Sequence, residues 1–175
     1  MEASSAGRRS GRAPHRADVV IRRAVARDAA RLTRLVRTSR AYEGPYAPMV
    51  AGYRVGPDYI EAHRVFIAAD EATGQVLGFY ALLLDPPELD LMFVADAAQG
   101  LGIGRLLAAH LREEARNAGL TGVRIVSHPP AEGFYRSIGA EPVGTVRARP
   151  GRDVGPPRTP APGQPPYGRV ISSSQ

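Results

Sequence analysis

Val19-Val20-Ile21-Arg22-Arg23, a β-branched apolar run that closes on two basic residues, reads as a short half-buried strand. Asp28 then offers an N-cap to a helix whose Leu32, Leu35 and Val36 fall on one face. Two β-rich runs, Arg64–Asp70 and Gln75–Asp85, are separated by Glu71-Ala72-Thr73-Gly74, and this arrangement predicts an antiparallel hairpin. Read with period two, Glu88–Val94 is a strand that puts Glu88, Asp90, Met92 and Val94 on one face, with both carboxylates together. A helical period follows Gly102: Ile103, Leu106, Leu107, His110, Leu111 and Ala115 form an inner face that Gly119 closes. Val123–Ser127 reads as a strand, Ala131–Ile138 as a short amphipathic helix ended by Gly139, and Glu141–Val146 as a further strand. Residues 167–172 are a candidate last strand. Antiparallel strands first and a strand-helix-strand unit later predict an α/β fold, a mixed, mostly antiparallel sheet flanked by helices.

Composition sharpens the boundaries. A chain of 175 residues suits one domain with tails. Its 19 Gly and 16 Pro gather in loops and in the last thirty or so residues. We therefore expect a disordered Arg-rich tail over 1–17, a folded domain over 18–146 and a Pro/Gly/Arg-rich tail over 147–175. The net charge of +6 divides into +3 on the first segment and +4 on the last, leaving −1 on the domain. A groove for a polyanion needs its cations on the folded body, so specific nucleic-acid binding is not expected. A nucleic-acid binder working through the Arg tails remains a rival that salt-sensitive binding would reveal.

Between Tyr42 and Tyr59 lie four of the seven tyrosines, interleaved with Gly and Pro. The loop they stud either caps the core or lines an acceptor pocket. There is no Cys, which removes thiolate metal sites, disulfides and a cysteine nucleophile. The four His, at 15, 63, 110 and 128, show no ligand spacing, and no metal is predicted. Ser127 and His128 are chain neighbours that an extended backbone points apart, so they do not make a hydrolase pair. The longest apolar run, Val76–Leu84, is too short for a bilayer, and the Arg-rich start lacks the apolar core of a secretory signal. A cytoplasmic location without membrane contact is the expectation.

Gln99-Gly100-Leu101-Gly102-Ile103-Gly104 carries the strongest chemical signal. Glycine lets backbone approach a ligand closely, and a helix N-terminus offers unpaired N–H groups and a favourable dipole to phosphate. A nucleotide P-loop needs a Lys, and the chain has none. The dinucleotide fingerprint needs a small residue where Arg105 stands and an acid near Leu120 and Thr121. The segment instead resembles the pyrophosphate loop of the GNAT superfamily of N-acetyltransferases, Q/R-x-x-G-x-G/A after a strand ending in Val. Residues 128–140, His-Pro-Pro-Ala-Glu-Gly-Phe-Tyr-Arg-Ser-Ile-Gly-Ala, resemble the second signature of that family, N-x-x-A-x-x-F-Y-x-x-x-G-F. Two positions depart from it: His128 replaces the usual Asn, and Ala140 the usual aromatic. The resemblance spans about residues 18–146.

The resemblance implies the GNAT acyl-coenzyme A N-acyltransferase fold and acetyl-coenzyme A as acyl donor co-substrate. It implies that Phe93 and Val94 splay from Val123–Ser127 to admit the pantetheine arm. The donor would be held by Phe93, Val94, Gln99, Gly100, Leu101, Gly102, Ile103, Gly104, Arg105 and His128. It implies too that the Val94 N–H steadies the developing oxyanion and that Tyr135 is the general acid, a phenol whose reference pKa of ~10 keeps it protonated at neutral pH. Glu88 and Asp90 are the candidate bases, and the strand phase does not choose between them. The partners implied are acetyl-coenzyme A and an amine acceptor of unassigned identity, with a homodimer as the assembly to test. The rival function is a non-catalytic acyl-coenzyme A sensor or regulatory domain.

Overall fold

The computed structural model describes residues 18–127, 129–145 and 169–174. One seven-stranded sheet runs in the order β1-β2-β3-β4-β5-β7-β6. Its strands are β1 (Val19–Arg23), β2 (Arg64–Asp70), β3 (Val76–Leu84), β4 (Pro87–Val94), β5 (Gly122–Ser127), β6 (Glu141–Thr145) and β7 (Arg169–Ser174). Only the central β4–β5 pair is parallel; every other neighbour is antiparallel. The mixed, mostly antiparallel sheet expected from the order of elements is what forms. The tail over 1–17 and the stretch from 146 to 168 lie outside the described residues.

Helices cover both faces. On one lie α1 (Ala29–Arg37) and α2 (Pro57–Ala62), where Leu32, Val36 and Ile60 meet Ile67, Phe79, Leu91 and Phe93. On the other lie α3 (Ile103–Asn117) and α4 (Glu132–Ser137), where Ile103, Leu107, Leu111 and Tyr135 meet Leu77, Tyr80, Leu89, Val123 and Ile125. The inner face of α3 differs slightly from its sequence pattern: Ala108 is buried, whereas Leu106 and His110 are half-exposed. His110 instead uses Nδ1 in a 2.8 Å hydrogen bond with the Tyr80 hydroxyl.

Local chemistry explains several turns. Asp28 is buried, yet its carboxylate makes no capping bond to α1. It accepts instead from the Val25 N–H at 3.0 Å and from both terminal nitrogens of Arg22, at 2.8 and 2.9 Å, which hold the carboxyl below its ordinary range. The expected cap thus works one turn earlier, tying β1 to the helix entrance. Asp70 accepts from the Thr73 N–H and hydroxyl, both at 2.8 Å, and closes the β2–β3 turn.

Two features of the sheet shape the site. A register shift between Ala81 and Leu82 leaves Asp90 as the extra residue of β4, a bulge. Leu89, Met92 and Val94 therefore pack on the α3 side, while Leu91 and Phe93 pack on the α1 side. The sequence expectation of Glu88, Asp90, Met92 and Val94 on one face is corrected: the two carboxylates share the α1 side, and Met92 and Val94 point the opposite way. Second, β7 inserts between β5 and β6, pairing with Gly122–Ser127 on one side and with Glu141–Thr145 on the other. Residues 169–174 thus belong to the sheet.

Candidate functional site

The site forms where the central strands part. β4 and β5 pair at Glu88↔Arg124 and Leu89↔Ile125, and no later position pairs among the described residues. The bulge at Asp90 sits where that pairing stops. Beyond it, β4 stays bonded to β3 on its other edge, and the Ala95 N–H donates to the Leu77 carbonyl at 2.8 Å. Strand alternation then turns the N–H groups of Met92 and Val94 toward the opening on the β5 side. Sequence reasoning singled out Val94; the equivalent orientation of Met92 follows only from the bulge and the register.

At the end of β4 the chain passes through a short turn into α3. Gly100 and Gly102 both have φ of +79°, a left-handed conformation that a side chain resists. Gly102 is the N-cap of α3, and the helical ladder begins with the Leu106 N–H donating to the Gly102 carbonyl at 3.1 Å. The amides of Ile103, Gly104 and Arg105 precede that ladder and face outward with the positive end of a fifteen-residue helix. Leu101 and Ile103 pack inward, Ile103 fully buried, whereas Gln99 and Arg105 are exposed. The Gln99 side-chain amide donates to Asp96 at 3.3 Å.

Gly104 has a packing reason as well. A Cβ there would lie 3.0 Å from the Phe134 ring, so the two sequence signatures touch in space, α4 seated on the first turn of α3. Tyr135 follows Phe134, their rings 5.3 Å apart edge to face. Burial pushes the Tyr135 hydroxyl well above the usual phenol range, and nearby Tyr42 adds to the shift. Tyr42 itself packs on the α1 side, stacked on Phe93 at 5.4 Å. Phe93 in turn stacks on Phe79 at 5.9 Å. Ser127, at the open end of β5, is buried and its Oγ has no hydrogen-bond partner among the described residues. His128 lies outside the described residues.

The carboxylates stand on the α1 side with different partners. Asp90 accepts a 2.5 Å hydrogen bond from the Tyr59 hydroxyl of α2, which burial and the Asp90 charge both push far above the usual phenol range. Glu88 accepts from Arg124 Nη1 at 2.6 Å across the parallel pair. Of the two expectations placed on the tyrosine loop, the structure shows the first: Tyr42, Tyr53 and Tyr59 pack against the core, Tyr42 on Phe93, and Tyr59 also bonds Asp90. It is held by Thr33, which exchanges hydrogen bonds with the Val55 backbone, and by Arg37, which donates to the Tyr53 carbonyl at 2.8 Å. The Arg40 N–H reaches both oxygens of Asp96 at 3.3 Å, fastening this loop to the start of the glycine turn. Those tethers join residues far apart in sequence and left no local signal.

An apolar groove of about 310 Å³ lies between the C-terminal half of α3, β5 and the α4–β6 turn, away from the glycine turn and outside this site. No group of three or more metal-ligating side chains occurs among the described residues, and no described helix is long and apolar enough to cross a membrane.

Comparison with known proteins identifies the family and the fold. The family model for an acetyltransferase (GNAT) domain matches residues 55–154. The chain is similar to a GCN5-related N-acetyltransferase from Rhodopseudomonas palustris, 16% identical with a TM-score of 0.66, covering 97% of this chain and 100% of that one. It is similar to a GNAT family acetyltransferase from Elizabethkingia anophelis with acetyl-coenzyme A bound, 16% identical with a TM-score of 0.62, over 90% and 99% of the two chains. An IAA acetyltransferase from Bacillus cereus is 20% identical with a TM-score of 0.60, over 90% and 99%. No curated protein matches the chain.

Proposed function

The chain belongs to the GNAT acetyltransferase family, and on that premise we propose direct transfer of an acetyl group from acetyl-coenzyme A to an amine, without a covalent enzyme intermediate. The observation that carries the proposal is the parting of β4 from β5 beside the N-terminus of a long helix. In one continuous place this gives a cradle for pyrophosphate, a slot for an extended amide-bearing arm, and free backbone donors at its end.

In this reading the amides of Gly102, Ile103, Gly104 and Arg105 take the pyrophosphate, with Gln99, Gly100 and Leu101 shaping the turn. The arm runs between β4 and β5, past Phe93, Val94 and the hydroxyl of Ser127; His128 is a further contact. The amine nitrogen attacks the thioester carbon, whose oxygen gains negative charge facing the N–H groups of Val94 and Met92. The carbon–sulfur bond breaks, the thiolate takes a proton from Tyr135, and the amine loses one to Glu88 or Asp90, directly or through water. The divergence supports this division of labour. An arm passing through the sheet has Tyr135 on the α4 side and both carboxylates on the α1 side.

The test is coenzyme A release from acetyl-coenzyme A across a panel of small amines, amino acids and peptides. A thiol reagent reads the product cleanly because the chain has no Cys of its own. Release with at least one amine is expected, together with a tenfold or greater loss of donor affinity in Gly102→Val. That substitution forces a branched side chain onto a φ of +79° and into the path of the phosphates. Donor binding without release for any amine would replace catalysis by acyl-coenzyme A sensing. Unchanged donor affinity in the variant would remove the glycine turn from the site. A monomer or homodimer, and a cytoplasmic address, are both compatible with this reading.

A further inference from the structure

The α1 side of the opening carries a charge pattern that narrows the acceptor. β4 supplies Glu88 and Asp90; beside them, on β5, Arg124 and Val126 present side chains to solvent. The Arg124 side chain is 43% exposed although one of its nitrogens sits 2.6 Å from Glu88. Along β4 the neighbouring floor is closed, Leu91 buried in the core and Phe93 under Tyr42. Along β5 it is open. An acceptor that brings its nitrogen to the carboxylates therefore has a guanidinium and an apolar Val126 next to it.

We propose that the acceptor is an amine bearing a carboxylate on a short carbon spacer, and that Arg124 is the residue that recognises that carboxylate. The inference rests on the acetyl-transfer reading above. Neighbouring strands lie about 4.8 Å apart and residues two apart along a strand about 6.6 Å, so a nitrogen set between Glu88 and Asp90 is one short spacer from the Arg124 head group. The planar fork of arginine matches a carboxylate through two parallel hydrogen bonds, and Glu88 engages it through Nη1 alone. An ion pair this exposed stabilises a fold little, so surrendering it to substrate costs little. The exchange has a chemical consequence. When the substrate carboxylate takes Arg124, Glu88 Oε2 is released toward the incoming ammonium, while Asp90 stays bonded to Tyr59. An amine without a carboxylate leaves Arg124 on Glu88.

The experiment compares acceptors in matched pairs, each amino acid against its carboxamide, with acetyl-coenzyme A and coenzyme A release as the readout. Wild-type protein should favour the acid over the amide by roughly ten- to hundredfold in kcat/KM, the effect of one charge-assisted pair. Arg124→Gln should collapse that ratio toward one, and Arg124→Lys should keep part of it. The ratio is internal to each variant, so a general loss of stability does not mimic the result. Turnover without preference in the wild type, or a preference that survives in Arg124→Gln, would overturn the assignment of Arg124 and leave acetyl transfer standing. Absence of release with both members of every pair would defeat the transfer reading itself.

Discussion

A buried phenol is a proton store at neutral pH, and Tyr135 is held in that state by burial beside Tyr42. Its hydroxyl is therefore still protonated when the thiolate departs, but the same burial makes it a weaker acid than a thiol, so the transfer draws its drive from the breaking carbon–sulfur bond and not from the phenol's acidity. Tyr135→Phe removes the hydroxyl and keeps the ring against Phe134 and the core. Steady-state kinetics with a confirmed acceptor should show kcat lower by roughly 10²–10⁴-fold and the dissociation constant for acetyl-coenzyme A little changed. Wild-type turnover in the variant would return Tyr135 to a packing role. This residue stood out in the sequence because its neighbours form a recognisable string. Tyr59 and Arg124 did not, since each owes its place to a partner more than thirty positions away, Asp90 and Glu88 respectively. A partner at that separation is set by the register of the sheet and leaves no local pattern.

Elements with a strong period were legible, and those defined by a neighbour were not. The fifteen residues of α3 and the turn before it are fixed by local spacing and by glycine conformation, so both were readable. The bulge in β4 was not, because nothing in Glu88-Leu89-Asp90-Leu91 departs from strict alternation; the extra residue exists only relative to β3. β7 is the harder case. Its two apolar residues, Val170 and Ile171, are too few for a period, yet it pairs with both β5 and β6. A chain ending at residue 166 would leave two strands with open edges in the middle of the sheet. Its melting temperature should fall by more than about 5 °C against a chain spanning 18–175, the effect of losing a few kcal/mol. Equal melting of the two, followed by circular dichroism, would show that the sheet closes without this strand.

For the whole molecule, the order of elements along the chain was sufficient to forecast a mixed, mostly antiparallel sheet flanked by helices, because each element's apolar face must be buried against another layer. Composition adds a property that no single element shows. Every basic residue is Arg and there is no Cys, so between about pH 9.5 and 12 the side chains that change charge are the tyrosines. Burial raises Tyr42 to about 12 and pushes Tyr59, Tyr80 and Tyr135 higher still. In the unfolded chain these phenols ionise near pH 10, so above that pH the unfolded state binds fewer protons than the folded one. Stability is then fully present below about pH 10 and drains as pH rises toward and past the folded values. Because several groups act together, the loss should be steep, and unfolding should coincide with release of the buried phenols. Denaturant melts at stepped pH, read beside phenolate absorbance, would show midpoints flat to about pH 10 and falling sharply above it. A gradual rise in absorbance with an undiminished midpoint at pH 12 would mean that these tyrosines ionise within the folded protein, and that the aromatic lining of the opening is wetter than its burial implies.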